Sequence, residues 1–303
     1  MPSLKSYRDR IASVKSTRKI TSAMKMVAAS KLKKAQEQAQ QSQPYATAIA
    51  EIMGRVASNV QIGAGSSKLL VGTGKDDIHL LIIVTADRGL CGGFNGNLAR
   101  RALIEVRRLT DAGKTVKMVC VGRKGRDILK RGYNERIINN FTGIGGKNRI
   151  AFSEADDIAQ YILEQFNAGE FDVCTLIYNE FKSVLAQIPV LQQLIPFKAP
   201  EGKKANDNIS VEQRGDKAAL FYDFEPDEQE ILGQLLPKNL GIQIFRALLD
   251  SAAGEQAARM TAMDNATRNA GDMINRLTLQ YNRARQAMIT KELIEIISGA
   301  EAV

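Results

Sequence analysis

The sequence has 303 residues, 44% of them hydrophobic and 25% charged, with a formal net charge of +9. Ten basic and two acidic side chains fall within the first forty residues, which therefore carry +8 while the remaining 263 residues carry +1. The charge is thus a local property of one segment, and a single histidine, His79, excludes metal sites and proton relays that need two imidazoles.

The amino-terminal segment, residues 4–59, predicts one long amphipathic helix. It is filled with Ala, Lys, Gln, Ser, Met and Arg, and its one proline, Pro44, predicts a bend near Gln43. Apolar residues recur at spacings of three and four, but their phase shifts once, which we interpret as a stutter in a coiled-coil stripe. The two parts of the predicted stripe are Leu4, Tyr7, Ile11 and Val14, then Ile20, Met24 and Val27.

Apolar strands alternate with helical patterns between residues 75 and 197. This alternation predicts a Rossmann-like, parallel α/β sheet with right-handed crossovers. Pro189 favours an edge position for the last strand, because proline cannot donate a hydrogen bond to a neighbouring strand. The predicted strands are 78–84, 115–121, 171–178 and 184–195, and the predicted helices are 98–109, 124–131 and 154–166.

The carboxy-terminal segment carries the strongest periodic pattern. Residues 198–216 predict a polar loop, and Pro237 and Gly241 mark the end of a separate short helix. A helix over about 240–298 would be ~85 to 90 Å long, too long for a globular domain to cover, so we expect the two terminal helices to pack together. A bundle of long helices remains the alternative. The predicted heptad seam consists of Met260, Met263, Thr267, Ala270, Ile274, Leu277, Tyr281, Ala284 and Met288.

The predicted fold class is therefore α/β, with a long coiled coil of the N- and C-terminal helices and an inserted Rossmann-like α/β domain. We assign residues 1–60 and 238–303 to the coiled-coil shaft and 75–197 to the α/β domain. Residues 198–237 are the polar loop and short connecting helix. Any function must explain why both ends of the chain form a rod.

The three cysteines, Cys91, Cys120 and Cys174, lie far apart, each in or beside an apolar run. We expect buried free thiols in a reducing compartment rather than disulfides or a metal site. No apolar stretch approaches the ~18 to 20 residues of a membrane span, and no signal-peptide core follows Met1. We therefore expect a cytoplasmic protein with no transmembrane segment of its own.

Three motifs could indicate catalysis, but each has a structural explanation that we favour. The glycine-rich loop 87–96 follows a strand, where a doubly wound fold would hold a phosphate, yet it lacks the G-x-G-x-x-G order. The sequence Gly113-Lys114-Thr115 lacks the rest of a Walker motif. Paired acids at element boundaries suit helix capping; they are Asp76–Asp77, Asp156–Asp157 and Asp227–Glu228. We expect no catalytic residue, metal or cofactor.

The basic first helix is the feature that most strongly suggests a function. Its charges could meet RNA phosphates, anionic lipid or an acidic protein surface. The first forty residues contain one aromatic side chain, Tyr7, so there is no interleaving for base stacking. Contact with protein is therefore favoured over nucleic acid, although a nucleic-acid-binding helical hairpin remains the alternative function.

Three segments together resemble the gamma subunit of the rotary, F-type ATP synthase: residues 11–31, the loop 87–95, and residues 289–300. The resemblance covers essentially the whole chain and is nearest to bacterial members. It implies that the terminal helices form an antiparallel rotor shaft inside a hexamer of alpha and beta subunits. It also implies that the α/β domain lies beside the epsilon subunit and the membrane c-subunit ring. The implied location is the cytoplasmic face of the bacterial inner membrane.

The resemblance also implies a set of site residues, whose parts are a beta-subunit contact and coupling group, a bearing tip and a foot. By motif matching, the contact and coupling group is Met24, Lys25, Arg259, Arg285, Gln286, Thr290 and Glu292. The bearing tip is represented by Ile294, Ile297 and Ala300, and the foot contacts by Tyr222, Glu225 and Tyr45. No nucleic acid is implied as a partner. The 198–216 loop holds no cysteine pair, so thiol regulation is not expected.

Overall fold

Two very long helices form the two ends of the chain, and an α/β domain lies between them in the sequence. A computed structural model describes residues 3–59, 67–146, 149–197 and 228–301. Helix α1, Leu4–Asn59, has 56 residues and α6, Glu228–Glu301, has 74, so they are about 84 and 111 Å long. Between them lie α2 Lys68–Val71, β1 Ile78–Val84, α3 Phe94–Asp111, β2 Thr115–Val121, α4 Arg123–Tyr133, a 3-10 turn Asn134–Arg136, β3 Ile137–Phe141, α5 Phe152–Asn167, β4 Val173–Phe181 and β5 Gln187–Ile195.

The five strands form one sheet in the order β3-β2-β1-β4-β5. All neighbours are parallel except β4 and β5, which pair antiparallel. The predicted bounds of β1 and β2 are confirmed. So is the edge position of β5: Pro189 faces Asn179 of β4, and no strand of the described residues lies beyond it. Strand β3 was not predicted, because it is short and contains two asparagines, Asn139 and Asn140.

Helices cover both faces of the sheet. Helices α5 and α6 pack on the face that carries Leu80 and Ile82, and α3 and α4 pack on the face that carries Leu81 and Ile83. A parallel sheet buried on both faces needs continuous apolar strands, which is why β1 reads as an unbroken apolar run. The three cysteines lie buried in or beside this core with free thiols, as predicted.

Helices α1 and α6 pack side by side and run antiparallel. Tyr281 contacts Arg8, near the start of α1, whereas Ala253 and Ala257 of α6 pack against Leu32, far along it. Residue numbers thus fall on one helix as they rise on the other. The predicted α6 seam is confirmed at Met263, Ala270 and Leu277, all of which are buried. Its last predicted position, Met288, is wrong: the side chain is 50% exposed, because α6 extends there beyond α1.

The predicted stutter in α1 is wrong. Ile20 is 60% exposed and Val27 is 56% exposed, whereas Thr21 and Ala28 are buried. One unbroken heptad phase therefore runs along the buried side of α1, flanked by half-buried Ser22, Met24 and Lys31. Its buried and half-buried positions are Leu4, Tyr7, Ile11, Val14, Thr21, Lys25, Ala28, Leu32 and Ala35. The periodicity was misread because polar Thr21 and Lys25 occupy seam positions, while larger apolar side chains lie beside the seam.

Pro237 and Gly241 do not mark the end of a separate short helix, contrary to prediction. Helix α6 continues from Glu228 through Pro237 and Gly241. Leu236 and Leu240 are buried on either side of Pro237, and this packing offsets the hydrogen bond that proline cannot donate. Helix α1 likewise continues through Pro44. The predicted loop 198–216 lies outside the described residues.

Candidate functional surface of the helical shaft

Polar side chains link α1 and α6 across the seam. The Lys25 ammonium lies 2.6 Å from Oδ1 of Asp264, and Arg268 pairs with the other carboxylate oxygen. Hydrogen bonds from Lys25 and Arg268 lower the pKa of Asp264. One turn away, the hydroxyls of Thr21 and Thr267 lie 2.8 Å apart. These pairs fix the register of the shaft, because a slip by one turn would separate them all.

Met24, one of the residues that the resemblance implies, lies half-buried next to Lys25 at the edge of the seam. Lys25 itself is engaged inside the shaft through Asp264. Near the start of α1, the Arg8 guanidinium donates two hydrogen bonds to the Tyr281 hydroxyl, at 3.0 and 2.8 Å. The polar links thus extend along the shaft from Arg8 to Lys25.

Helix α6 projects beyond the first turn of α1 as a single helix. Arg285, Gln286, Thr290 and Glu292 are all exposed on this projection, and the Thr290 hydroxyl donates to the Gln286 carbonyl at 3.0 Å. The projection also exposes a run of large apolar side chains: Met288, Ile289, Leu293, Ile294, Ile296 and Ile297. An exposed apolar surface of this kind indicates an interaction site. Ala300 lies in the last turn of α6.

Arg259 connects the shaft to the glycine-rich loop of the α/β domain. Its guanidinium lies 2.7 Å from a carboxylate oxygen of Glu255 and donates to the Gly89 carbonyl at 3.2 Å. Burial raises the pKa of Glu255, and Arg259 partly offsets that effect. Cys91 and Phe94 are buried in the same contact against Ala258. Arg259 is thus a junction residue, with most of its side chain covered within this chain.

The glycine-rich loop has a structural role, as favoured from the sequence. The Asp87 carboxylate accepts hydrogen bonds from the backbone amides of Arg123 and Gly143, at 2.9 and 2.7 Å. These amides lie at the carboxyl edge of the strands, where a doubly wound fold would bind a phosphate. A carboxylate that already occupies them disfavours a second anion there. The loop instead packs on α6, where Gly92 approaches Ala262.

A shallow cleft lies between this loop and α6. Its volume is about 220 Å³, and its lining includes Asn97, Asn179, Thr261 and Asn265. Leu185, in the turn between β4 and β5, is 83% exposed at its rim. The lining contains amides and hydroxyls but no carboxylate, imidazole or amine. Its thiol, Cys91, is buried, and burial raises the pKa of that thiol, so the cleft offers hydrogen bonds rather than acid–base catalysis.

Asp250 lies at the junction of α6 and β4. Burial raises the pKa of Asp250 to about 6; Arg246 opposes this shift and Glu180 adds to it. Burial, with Asp250 nearby, also raises the pKa of Tyr178 to about 12. The charged groups around Asp250 are thus Arg246 on its own helix and Glu180 on the strand.

We expect Asp250→Asn to stabilise the protein above pH 6 by about 2 kcal/mol. An unfolded aspartate ionises near pH 4, whereas folded Asp250 keeps its proton to about pH 6. Wild-type stability should therefore fall as pH rises from about 4 to 6, and the variant should lack that component. Urea unfolding at pH 4, 5, 6 and 7.5 would measure it. Glu180→Gln should move the fall to lower pH, and identical pH profiles for Asp250→Asn and wild type would contradict the assignment.

Of the predicted foot residues, Tyr45 lies on α1 with its side chain exposed. Tyr222 and Glu225 lie outside the described residues. Within the described ranges, no group of three His, Cys, Asp or Glu side chains is placed to hold a metal ion. None of the helices described here is long and apolar enough to cross a membrane.

Sequence reasoning missed the partners of the implied residues. Glu255 could have been found, since it precedes Arg259 by four residues on one helix face. Asp264 could not, because its contact with Lys25 depends on the register of two helices distant in the sequence. The same is true of Arg8 and Tyr281.

The fold and the exposed shaft define a class of protein in which paired terminal helices carry an inserted α/β domain and present an apolar tip. The ATP synthase family model matches residues 3–303. The ATP synthase gamma chains of Rhodospirillum rubrum and Rhizobium etli are 56% and 55% identical to this chain, over the full length of both proteins in each case. The chain therefore belongs to the ATP synthase gamma chain family.

Solved structures agree with this fold. A chain of the central stalk and c-ring of the Tetrahymena thermophila mitochondrial ATP synthase is 26% identical, with a TM-score of 0.57; the match covers 82% of this chain and 99% of that one. A chain of the Euglena gracilis mitochondrial ATP synthase is 19% identical with a TM-score of 0.65, covering 99% and 94%. The second likeness shows the fold alone.

Proposed function

We propose that this chain is the central-stalk rotor shaft of a proton-translocating ATP synthase and carries out no bond chemistry itself. The observation that carries the proposal is the tip of α6, which projects beyond α1 and exposes Ile294 and Ile297. Exposure of this apolar surface to water is unfavourable, so we expect surrounding protein subunits to cover it. The names of the full-length relatives support the same role.

The proposed partners are the alpha and beta subunits around the shaft, and the epsilon subunit and c-ring at the foot. With these partners, the proposed location is the cytoplasmic face of the bacterial inner membrane, where the chain would be a peripheral component. Torque would pass from the ring to the beta subunits through faces of the shaft that contact their open and closed states differently. Only such differential contact can change nucleotide affinity.

Contact between the tip of α6 and the alpha and beta subunits can be tested by reconstituting ATPase activity from alpha, beta and this chain. We expect Ile294→Glu with Ile297→Glu to lower reconstituted ATPase at least tenfold, because two carboxylates would then be buried in an apolar sleeve. The control is Val71→Glu with Leu185→Glu, which places the same charges at exposed apolar sites of α2 and the β4–β5 turn. Equal activity of the tip variant and wild type would contradict the proposal.

Coupling should depend on Met24. We expect Met24→Lys to uncouple ATP hydrolysis from proton pumping, because a second ammonium beside Lys25 would compete for Asp264 and disturb the seam. The measurement is the ratio of proton pumping to ATP hydrolysis in membrane vesicles containing the whole complex. Ala29→Lys, at an exposed position of the same helix, is the control. A variant that pumps as efficiently as wild type would refute the assignment.

A further inference from the structure

Helices α3 and α4 carry a second basic surface. The net charge of the chain does not reveal it, because acidic residues elsewhere cancel its charge. Residues 94–136 contain twelve basic and four acidic side chains, a net charge of +8. The first forty residues carry the same charge, so the rest of the chain is acidic. We call this surface the α3–α4 basic face; its exposed arginines outside a salt bridge are Arg100, Arg101, Arg107, Arg123, Arg126 and Arg131.

The six arginines are not neutralised by their own fold. Among the described residues, none of them has a carboxylate within salt-bridge distance. Neighbouring basic groups do have such partners: Arg108 pairs with Glu105, and Lys124 and Lys130 pair with Asp127. A basic side chain in the last turn of a helix is stabilised by the helix carboxyl terminus, which accounts for Arg131 alone. It leaves five unexplained: Arg100, Arg101, Arg107, Arg123 and Arg126. These side chains are available to an external anion.

The basic face points away from the shaft. Helices α3 and α4 pack on the sheet face opposite α5 and α6, so the charge lies on the far side of the α/β domain from the coiled coil. Both helices begin at the carboxyl edge of the strands, near Arg259, and end at the opposite edge. That opposite edge is the side on which Leu69 packs against Leu236, near the start of α6. The face thus extends toward the foot of the molecule.

We propose that the α3–α4 basic face binds the phosphate headgroups of an anionic lipid bilayer. Guanidinium groups bind phosphate oxygens through paired hydrogen bonds, and a fluid bilayer can supply phosphates at any spacing. A folded acidic protein would need a largely uncharged, apolar interface core. This face offers only two exposed large apolar side chains, Ile104 and Ile128, and no exposed large aromatic. Binding is therefore electrostatic and superficial.

In the proposed rotor function the foot faces the membrane, so Arg107 and Arg131, near the carboxyl ends of α3 and α4, are the arginines of the face closest to it. The inference rests on that function only for its biological setting. The contact would hold the α/β domain close to the membrane through charge alone. Because lipids diffuse, it would not lock the domain at one angle.

The experiment is co-flotation of the full-length chain with vesicles of phosphatidylcholine containing 30% phosphatidylglycerol. Each basic residue near an anionic surface strengthens binding by about fivefold at moderate salt, so Arg100→Gln, Arg107→Gln and Arg131→Gln together should lower the partition coefficient by about 100-fold. The matched control removes three exposed charges from α1: Lys15→Gln, Arg18→Gln and Lys33→Gln. We expect less than a fivefold fall for that control.

A local probe separates the face from the shaft. An environment-sensitive fluorophore on Ile104→Cys should shift to the blue on anionic vesicles but not on pure phosphatidylcholine, while the same label on Leu185→Cys should not respond. The native thiols are buried and will not compete for the label. Equal losses in the two charge triples, or no blue shift at residue 104, would overturn the proposal.

Competition identifies the class of anion. If polyglutamate or duplex RNA bound the chain in an Arg100-dependent way while vesicles did not, the face would be a protein or nucleic-acid site and the lipid proposal would be wrong. None of these measurements requires alpha or beta subunits. They therefore fail or succeed separately from ATPase reconstitution, which tests the rotor function.

Discussion

Gly122→Ala should be the most damaging single-methyl change in the α/β domain, with a loss of about 4 kcal/mol or failure to fold. Gly122 has a φ of +100°, which side chains with a Cβ rarely adopt. A Cβ at this position would lie 2.2 Å from the Thr85 carbonyl oxygen, which is backbone and cannot rotate away. The Gly122 amide also donates to the Phe141 carbonyl at 2.7 Å, so moving it would disturb β3.

Gly113 provides the control for conformation without crowding. Its φ of +76° is equally left-handed, but nothing lies within 4 Å of its hypothetical Cβ. We therefore expect Gly113→Ala to cost only about 1 kcal/mol. Guanidinium unfolding of both variants measures the difference. If the two substitutions cost the same, backbone conformation alone would account for Gly122 and the steric argument would fail.

Arg259→Met should destabilise the contact between the shaft and the α/β domain by about 3 kcal/mol. The substitution keeps much of the side-chain volume, but it leaves the Glu255 carboxylate in a largely buried position without its partner. The pKa of Glu255, already raised by burial, would rise further. Stability should therefore fall more steeply in the variant as pH rises through the ionisation of the unfolded glutamate.

A double-mutant cycle isolates this ion pair. Adding Glu255→Gln to Arg259→Met should recover about 2 kcal/mol, because the unpaired charge disappears. The same measurement separates the pair from the hydrogen bond to the Gly89 carbonyl, which both Arg259 variants lose. Additive single-variant costs would show that Glu255 and Arg259 act independently. The pair at Lys291 and Glu295, exposed on the tip, should by contrast give less than about 0.5 kcal/mol.

Much of the fold could be predicted from the sequence where burial is uniform. Strands β1 and β2 are largely buried, and both end in continuous buried apolar runs, which made their bounds readable. The α6 seam was also readable, because Met263 and Leu277 are large and regularly spaced. The α1 seam was not, because its buried positions include Thr21 and Ala28 while Ile20 faces outward. A small or polar residue on a seam gives no signal until its partner helix is known.

The candidate surface was less accessible than the fold. The resemblance supplied Arg259 and Lys25, but not the carboxylates that pair with them. Asp264 and Glu255 act through contacts that follow from packing rather than from local pattern. The α3–α4 basic face was hidden by compensation, since acidic residues elsewhere cancel its charge in the sum over the chain.

The projection of α6 beyond Arg8 and Tyr281 has a mechanical consequence. Between that point and the α/β domain, two helices share any twisting load, because Thr21–Thr267 and Lys25–Asp264 join them. Beyond it, toward the tip, α6 is unpaired, and a single helix is more compliant in torsion than a cross-linked pair. A twisting load carried along α6 would therefore deform its single-helix segment more than the paired segment.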